Sequence, residues 1–335
     1  MTTTCYSLGF RAPLHIGERG VGLEESRTFA PADTLFSALC TMWRELYGVP
    51  ELEKLLQDFQ TGTSPFLLTS AFPYAGTVRF FPRPMLSGVP GEAKVWRRVQ
   101  FVSERRFREL VSGSRPALKT QHCLSEGTVW VHDDELPALQ DWQQNGVHHF
   151  WQHAVTPRVT LDRITSASAL WHLGGVTFAA GCGLWFGAQC RDEWQVRFAT
   201  ALRLLGDTGL GGERGAGYGL FSLAETATLD LPAAIAAERF VTLSPVAPAN
   251  ETQLAALTAD TAISYHLLAR RGWVGSSEAG NLRRQQVWMF GEGSLLSGTG
   301  ISAGRLVNVK PTPSPHSVWR YGLAFPVGVQ PCANV

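Results

Sequence analysis

A chain that mixes strands with helices and is large enough for about two domains is what this sequence predicts, and three observations carry that reading. The first is length: 335 residues, against roughly 150 per domain. The second is pattern, because extended runs rich in β-branched and aromatic residues recur along the chain and are interrupted by segments whose apolar residues fall three and four apart. The third is composition: 44% hydrophobic and 17% charged suits a chain that buries a core, and excludes disorder, collagen, a coiled coil and a disulfide-stapled mini-protein. No uninterrupted apolar run approaches the roughly 18–20 residues that span a bilayer. The start, Met1 to Cys5, lacks a basic stretch followed by an apolar one, so a cytoplasmic protein is expected.

The elements follow in order. Tyr6, Leu8 and Phe10 alternate with smaller residues and predict a first strand over Thr4–Phe10. A glycine-punctuated loop runs from Arg11 to Pro31. Asp33 then stands where a helix N-cap belongs, ahead of Leu35, Phe36, Leu39, Met42, Trp43 and Leu46, whose spacing makes one apolar face. That helix ends near Gly48-Val49-Pro50, and a short one is expected over Glu51–Phe59. Phe66–Pro73 and Thr77–Phe81 read as extended runs joined by a turn at Ala75-Gly76. Beyond Phe81 the pattern loosens. Thr128–His132, Val155–Ile164 and Gly174–Gly187 restore extended order, and Asp192–Leu205 predicts a helix with Trp194, Phe198, Ala201, Leu202 and Leu205 on one side. After Leu220–Ala224, further strands are expected at Arg239–Leu243, Ala262–Ala269, Gln286–Gly291, Leu306–Lys310 and Trp319–Val327.

Six cysteines are scattered without a C-x-x-C pair, which argues for reduced, buried thiols and against a zinc ribbon or disulfide framework. His149 and His153 have the spacing of a helical metal pair, but Trp151 and Gln152 stand where an H-E-x-x-H motif needs its glutamate. No metal and no cofactor are expected.

Charge is unevenly placed. Between Arg79 and Lys119 ten Lys/Arg face three acids, a local +7 in a chain whose net charge is +1. Ala262–Lys310 carries six basic residues against two acids, with Trp273 and Trp288 among them, a mixture that suits single-stranded RNA. The most unusual stretch is 206–219, with seven glycines in fourteen positions. It has no Gly-Lys-Ser/Thr, and it follows a helix and precedes a strand, the reverse of a dinucleotide fingerprint. In that order its backbone N–H groups can line a platform for a sugar-phosphate chain, with Arg214 for phosphate and Tyr218 for stacking.

Four ordered stretches now point to a family: Leu14-His15-Ile16-Gly17-Glu18, Phe29 to Leu39, Pro157-Arg158-Val159-Thr160-Leu161-Asp162-Arg163, and Gly209 to Gly219. Arg270-Arg271-Gly272-Trp273, Asn281-Leu282-Arg283-Arg284 and Met289 to Ser294 add a fifth. Together they resemble the RAMP superfamily of CRISPR proteins, and within it the family of fourth subunits of type III-A (Csm) interference complexes. The resemblance implies an α+β fold of two ferredoxin-like, RRM-like βαββαβ domains, at about 1–230 and 231–335. The first would carry the basic segment, about 79–125, as a projecting thumb.

It also implies a non-catalytic RNA-binding subunit that caps the 5′ tag of the CRISPR RNA and joins the large polymerase-like subunit to the Csm backbone subunits. Target RNA would meet it through the complex, with the thumb wedged where the tag ends. The RNA-binding residues expected are His15 and Gly17 in the first loop, Arg97 and Arg98 in the thumb, and Arg158, with Asp162 as a positioning group. Gly209, Gly211, Gly212, Arg214, Gly215, Gly217, Tyr218 and Gly219 follow in the glycine loop, then Arg271, Trp273, Arg283 and Arg284. The alternative is a RAMP endoribonuclease that processes repeat RNA with His15 as general acid or base, helped by Tyr218 or Lys119. A third reading is a nuclease using Asp33. Metal-free cleavage needs a proton donor and an acceptor on opposite sides of one phosphate, and a single loop histidine supplies one. That favours the binding subunit.

Overall fold

The computed structural model describes residues 2–17, 23–139, 149–234, 237–275 and 282–332, with backbone alone for 224–226. Strand β1 (Thr3–Phe10) leads into helix α1 (Ala32–Gln60), whose buried stripe runs from Leu35, Phe36, Leu39, Met42 and Trp43 to Leu55 and Phe59. The two helices expected here are joined across a kink at Gly48, where φ is +82°; Pro50 follows as a residue suited to restart a helix. Asp33 does not cap α1. Pro31 holds the cap position, Ser70 Oγ accepts the Ala32 N–H at 2.8 Å, and Asp33 lies inside the first turn.

Short strands β2 (Phe66–Leu68), β3 (Phe72–Ala75) and β4 (Val78–Pro82) follow, then α2 (Ala93–Arg98), β5 (Phe101–Ser103), α3 (Glu104–Val111), β6 (Cys123–Leu124) and β7 (Val129–Trp130). Next come β8 (Trp151–Leu161) and β9 (Ser168–Phe178), β10 (Cys182–Cys190), α4 (Asp192–Thr208) and β11 (Phe221–Leu229). One sheet runs in the order β11-β1-β10-β3-β4-β5-β7-β6, with β2 also on β10. Within it β1, α1, β3, β10, α4 and β11 follow one another as a βαββαβ series whose strands lie in the order β11-β1-β10-β3 with antiparallel neighbours. Helices α1 and α4 cover one face and meet at Trp43 and Trp194, 5.5 Å between ring centroids.

The C-terminal part holds β12 (Arg239–Thr242), α5 (Glu251–Leu257), β13 (Leu267–Arg270), β14 (Val287–Phe290), β15 (Leu295–Ser297), β16 (Gly304–Asn308), β17 (Trp319–Leu323) and β18 (Pro326–Val329). Its strands fall into a three-stranded sheet, β15-β12-β18, and two hairpins. With one helix among the described residues, a second βαββαβ unit is not traced strand for strand. Both faces of the large sheet draw on this part for their cores: Tyr321 and Leu323 pack under α1, and Val241, Leu295 and Phe325 pack with Phe72 and Trp185 on the other side.

The basic segment does not project. Phe80, Phe81, Phe101, Val102, Phe107 and Trp130 are buried in the core, and Phe81 stacks on Phe107 at 4.5 Å, a contact worth about 1 kcal/mol beyond its burial. Four of its eight arginines are paired with acids: Arg79 and Arg108 share Glu104, Arg105 meets Asp134, and Arg106 meets Glu109 and Asp133. The element that stands out is the β8–β9 hairpin. The cysteines are unpaired with one another; Cys5 and Cys182 are buried as expected, but Cys40, Cys123 and Cys190 are half-buried and Cys332 is exposed. His153 sits on β8 rather than on a helix, so the helical metal spacing does not apply. No group of three or more His, Cys, Asp or Glu that could hold a metal occurs among the described residues, and no helix there is long and apolar enough to cross a membrane.

Candidate nucleic-acid interface

The hairpin carries eleven residue pairs from Trp151–Phe178 to Leu161–Ser168, about 35 Å of ribbon at ~3.4 Å per residue. Asp162 turns its tip. Its Oδ1 accepts the N–H groups of Ile164 and Thr165 at 2.8 Å each, and these bonds hold the carboxyl below its ordinary value. Asp162 thus shapes the tip beside exposed Arg163 and Ile164, the latter 94% exposed.

Successive strand residues face opposite sides, and the two sides meet different arms of the loop after β1. Gly174 lies against the Glu24 backbone, where a Cβ would come within 2.0 Å of a carbonyl oxygen; Gly175 lies against the Tyr218 ring and Pro13. The glycine pair lets the hairpin base be gripped from both sides.

On the Gly175 side lies the glycine loop. Gly219 has φ +76°, and a Cβ there would sit 2.0 Å from the Leu210 oxygen; one at Gly211, φ +94°, would sit 2.3 Å from the His15 oxygen. Gly209 and Gly212 are hemmed in likewise, by Tyr218 and His15. These four glycines fold the loop on itself. Gly215 and Gly217 differ, because a Cβ at either would meet nothing within 4 Å; Gly215 and Ala216 line a cleft of about 1120 Å³ between the loop, α1 and α4. Half-buried Arg214 borders it.

His15 lies beneath this surface. It is 4% exposed, its Nδ1 is 2.7 Å from the Gly174 oxygen, and its carbonyl accepts the Gly212 N–H at 2.9 Å. It is a tie between loop and hairpin rather than a surface contact, while Gly17 nearby is exposed. Tyr218, expected to stack on a base, is 5% exposed; the Arg158 guanidinium lies 6.0 Å over its ring. The tyrosine supports the arginine, which is half-buried and the more exposed of the two.

At the C-terminal end, Trp273 is 48% exposed and Arg283 lies 4.7 Å over it, beside exposed Arg271. Arg284 is half-buried, donates to Ser37 Oγ at 3.3 Å, and is pushed down to about 10 by burial and by Arg320, against the pull of Asp33. Arg97 and Arg98 are exposed on α2. Glu18 and Asn281, in the quoted stretches, lie outside the described residues.

Sequence reading missed the role of Asp33. It is fully buried, and both its oxygens accept from Arg270 at 3.0 Å while Arg320 donates to Oδ2. Burial alone would raise its carboxyl; the two guanidiniums outweigh that and hold it at about 2. Such a sealed carboxylate is a clamp between α1 and the C-terminal part. Nothing in the local pattern announces partners more than 230 residues away.

A model of the RAMP superfamily matches residues 10–222, and one described as the CRISPR Csm4 C-terminal domain matches residues 236–329. Curated proteins named CRISPR system Cms protein Csm4 are similar along most of their length. One from Mycobacterium tuberculosis is 30% identical over 290 residues, 84% of each chain; one from Thermococcus onnurineus is 27% identical over 320 residues, 91% of this chain and 93% of that one. Among solved structures, the fold matches a Csm3–Csm4 subcomplex of a type III-A CRISPR-Cas interference complex with a TM-score of 0.68 at 15% identity, covering 99% of this chain and all of that one. It matches a Csm1–Csm4 cassette in complex with cA4 at 0.60 and 20% identity, covering 99% of each.

Proposed function

The chain belongs to the RAMP superfamily and, within it, to the Csm4 family, and from that premise we propose that it is the non-catalytic RNA-binding subunit that holds the 5′ tag of the CRISPR RNA in a cytoplasmic type III-A complex. It bridges the large polymerase-like subunit to the Csm backbone subunits, and target RNA reaches it through the assembly. The observation that supports the reading is the open face of the glycine loop: a Cβ at Gly215 or Gly217 would meet nothing within 4 Å, Arg214 lines the cleft at Gly215, and Arg158 on the gripped hairpin lies over the ring of Tyr218. Open backbone at Gly215, with Arg214 at the cleft and Arg158 on the hairpin over Tyr218, suits a sugar-phosphate chain, which would pass the lining carboxylates Glu45 and Glu213. Solved relatives named with Csm3 and with Csm1 support the two protein contacts.

We read the chain as two ferredoxin-like domains divided near residue 231; the two family models end and begin on either side of that point. The wedging role goes to the hairpin tip, Asp162 to Ala167, because the basic segment is packed. The nuclease alternative needs an accessible His15, and the ring is enclosed.

Co-expression with the neighbouring complex subunits, followed by end-mapping of the copurified RNA, tests the reading. RNAs sharing one repeat-derived 5′ end are expected, with tag binding weakened by Arg158→Ala and by Gly215→Val. Unchanged RNA affinity in both folded variants refutes the platform. Metal-independent cutting of repeat RNA by the purified chain, lost in His15→Ala, would restore the nuclease.

A further inference from the structure

Residues 13–16 form a short extended segment between the glycine loop and the hairpin. Neighbouring residues of an extended chain turn their backbone polar groups to opposite edges, and here each edge has a different partner. On one, the carbonyls of Pro13 and His15 accept the N–H groups of Gly219 at 2.8 Å and Gly212 at 2.9 Å. On the other, Leu14 and Val176 of β9 exchange both backbone hydrogen bonds at 2.8 Å. The His15 side chain repeats the link. Its Nδ1 faces the Gly174 oxygen at 2.7 Å, and since a carbonyl only accepts, that nitrogen carries the proton. The other flank of the ring lies against the loop, where a Cβ on Gly212 would come within 2.9 Å of Cδ2.

We infer that this segment couples the two elements, so that a strand seated on the open face of the glycine loop fixes the direction of the hairpin, with His15 as the positioning residue. The inference rests on the RNA-binding reading above. The hairpin is built to follow its base. Outward from the Thr156–Leu173 pair, five further pairs are exposed or half-buried throughout, a length of about 17 Å at ~3.4 Å per residue that no core holds. A rotation of about 10° where the ribbon leaves the body carries its tip roughly 3 Å. The glycine loop, in turn, has slack that a ligand removes. Arg214–Ala216 make a single 3-10 turn between left-handed Glu213 and Gly217, and a Cβ at Gly215 or Gly217 would meet nothing within 4 Å. Ordering of that turn passes through Gly212 and Gly219 into residues 13–16, and from Leu14 and His15 into β9; by linkage, a fixed hairpin favours an ordered loop. The hold on the opposite face of the ribbon, His153 Nε2 at 3.1 Å from Thr28 Oγ1, draws on a different stretch of chain.

Amide hydrogen exchange on the full-length chain reads the coupling, with a synthetic single-stranded RNA that copies the 5′ end of the copurified RNA, added to saturation as judged by fluorescence anisotropy. In wild type the RNA should slow exchange about fivefold or more both at residues 209–219 and at residues 157–172. His15→Phe keeps a ring and drops the donor, so it should retain the slowing in the loop and lose it in the hairpin; His15→Leu takes its place if the phenylalanine does not fold. His15→Asn, which returns an N–H near the Nδ1 position, should restore the hairpin effect, and His153→Ala should leave it in place. Equal slowing of the hairpin with and without the His15 donor means that RNA holds the ribbon directly, and overturns the coupling. Loss of the effect in His153→Ala as well as in His15→Phe marks a base merely loosened and overturns it too. Slowing of the loop beside an unchanged hairpin in wild type overturns the coupling without any variant and leaves the platform standing. No binding, or no slowing at either place, removes the platform and the coupling together.

Discussion

Replacing Asp33 with asparagine tests the most consequential contact in the molecule. The carboxylate is held at about 2, against an ordinary 3.8. At about 1.4 kcal/mol per unit this corresponds to roughly 2–3 kcal/mol of folding free energy carried by ionisation. Because the folded-state value is the depressed one, that contribution is fully present above 3.8, declines as the pH falls toward 2 and is gone below. At neutral pH the amide does more harm than protonation alone, since buried Arg270 and Arg320 lose the charge of Asp33; removing one partner of a buried pair costs about 3–5 kcal/mol. Guanidinium unfolding of the full chain, read by tryptophan fluorescence, gives both numbers. Asp33→Asn should lose about 3–5 kcal/mol at pH 7, and the gap to wild type should narrow between pH 4 and pH 2. A loss below about 1 kcal/mol, or parallel acid profiles for the two proteins, would refute the clamp.

Other expectations follow from the same geometry. Gly219→Ala forces a Cβ onto the Leu210 oxygen in left-handed backbone and should cost about 2–4 kcal/mol, whereas Gly215→Ala meets nothing and should stay within about 0.5 kcal/mol; thermal melts separate them. Arg106→Ala removes a buried guanidinium 4.6 Å over Trp130 and paired with Glu109 and Asp133, so it should destabilise by about 2–4 kcal/mol while Arg97→Ala does not, as denaturation midpoints will tell. Burial pushes the Cys40, Cys182 and Cys190 thiols up to about 12, so iodoacetamide at pH 8 should label exposed Cys332 and spare those three, as read by peptide mass spectrometry. Asp162→Ala should speed amide exchange at residues 164–167 and leave the melting temperature in place.

The helices were legible because their signal is local. Leu35, Phe36, Leu39, Met42 and Trp43 announce a buried face of α1 whatever covers it, and Asp192–Leu205 appears within three residues of its true end at Thr208. The hairpin was half visible: Val155–Ile164 overlaps β8, but one expected run, Gly174–Gly187, spans the end of β9, a turn and most of β10. Extended residues on both sides of a short turn read as one strand when the turn lacks proline. The basic segment misled for a different reason. A charge count that ends at Lys119 includes Glu109 but leaves out Asp134 and Asp133, which answer Arg105 and Arg106 from beyond its edge. In the candidate site, glycine density marks the loop, yet spacing alone does not separate the glycines that close it on itself from Gly215 and Gly217, where a Cβ would meet nothing within 4 Å. That distinction depends on His15, Leu210 and Tyr218 arriving from other directions.

Strand β1 lies between β10 and β11, and that position has a consequence for biosynthesis. Its neighbours in the sheet, Leu184–Ala188 on one side and Phe221–Leu229 on the other, leave the ribosome long after it does. At about 5–20 residues per second the first strand waits roughly ten to forty seconds with both edges unpaired. An open edge of this kind is a template for pairing with another nascent chain. The first eight or so residues of the βαββαβ unit are thus among the last to be secured, and during that interval a holding chaperone has its clearest target at the N-terminus.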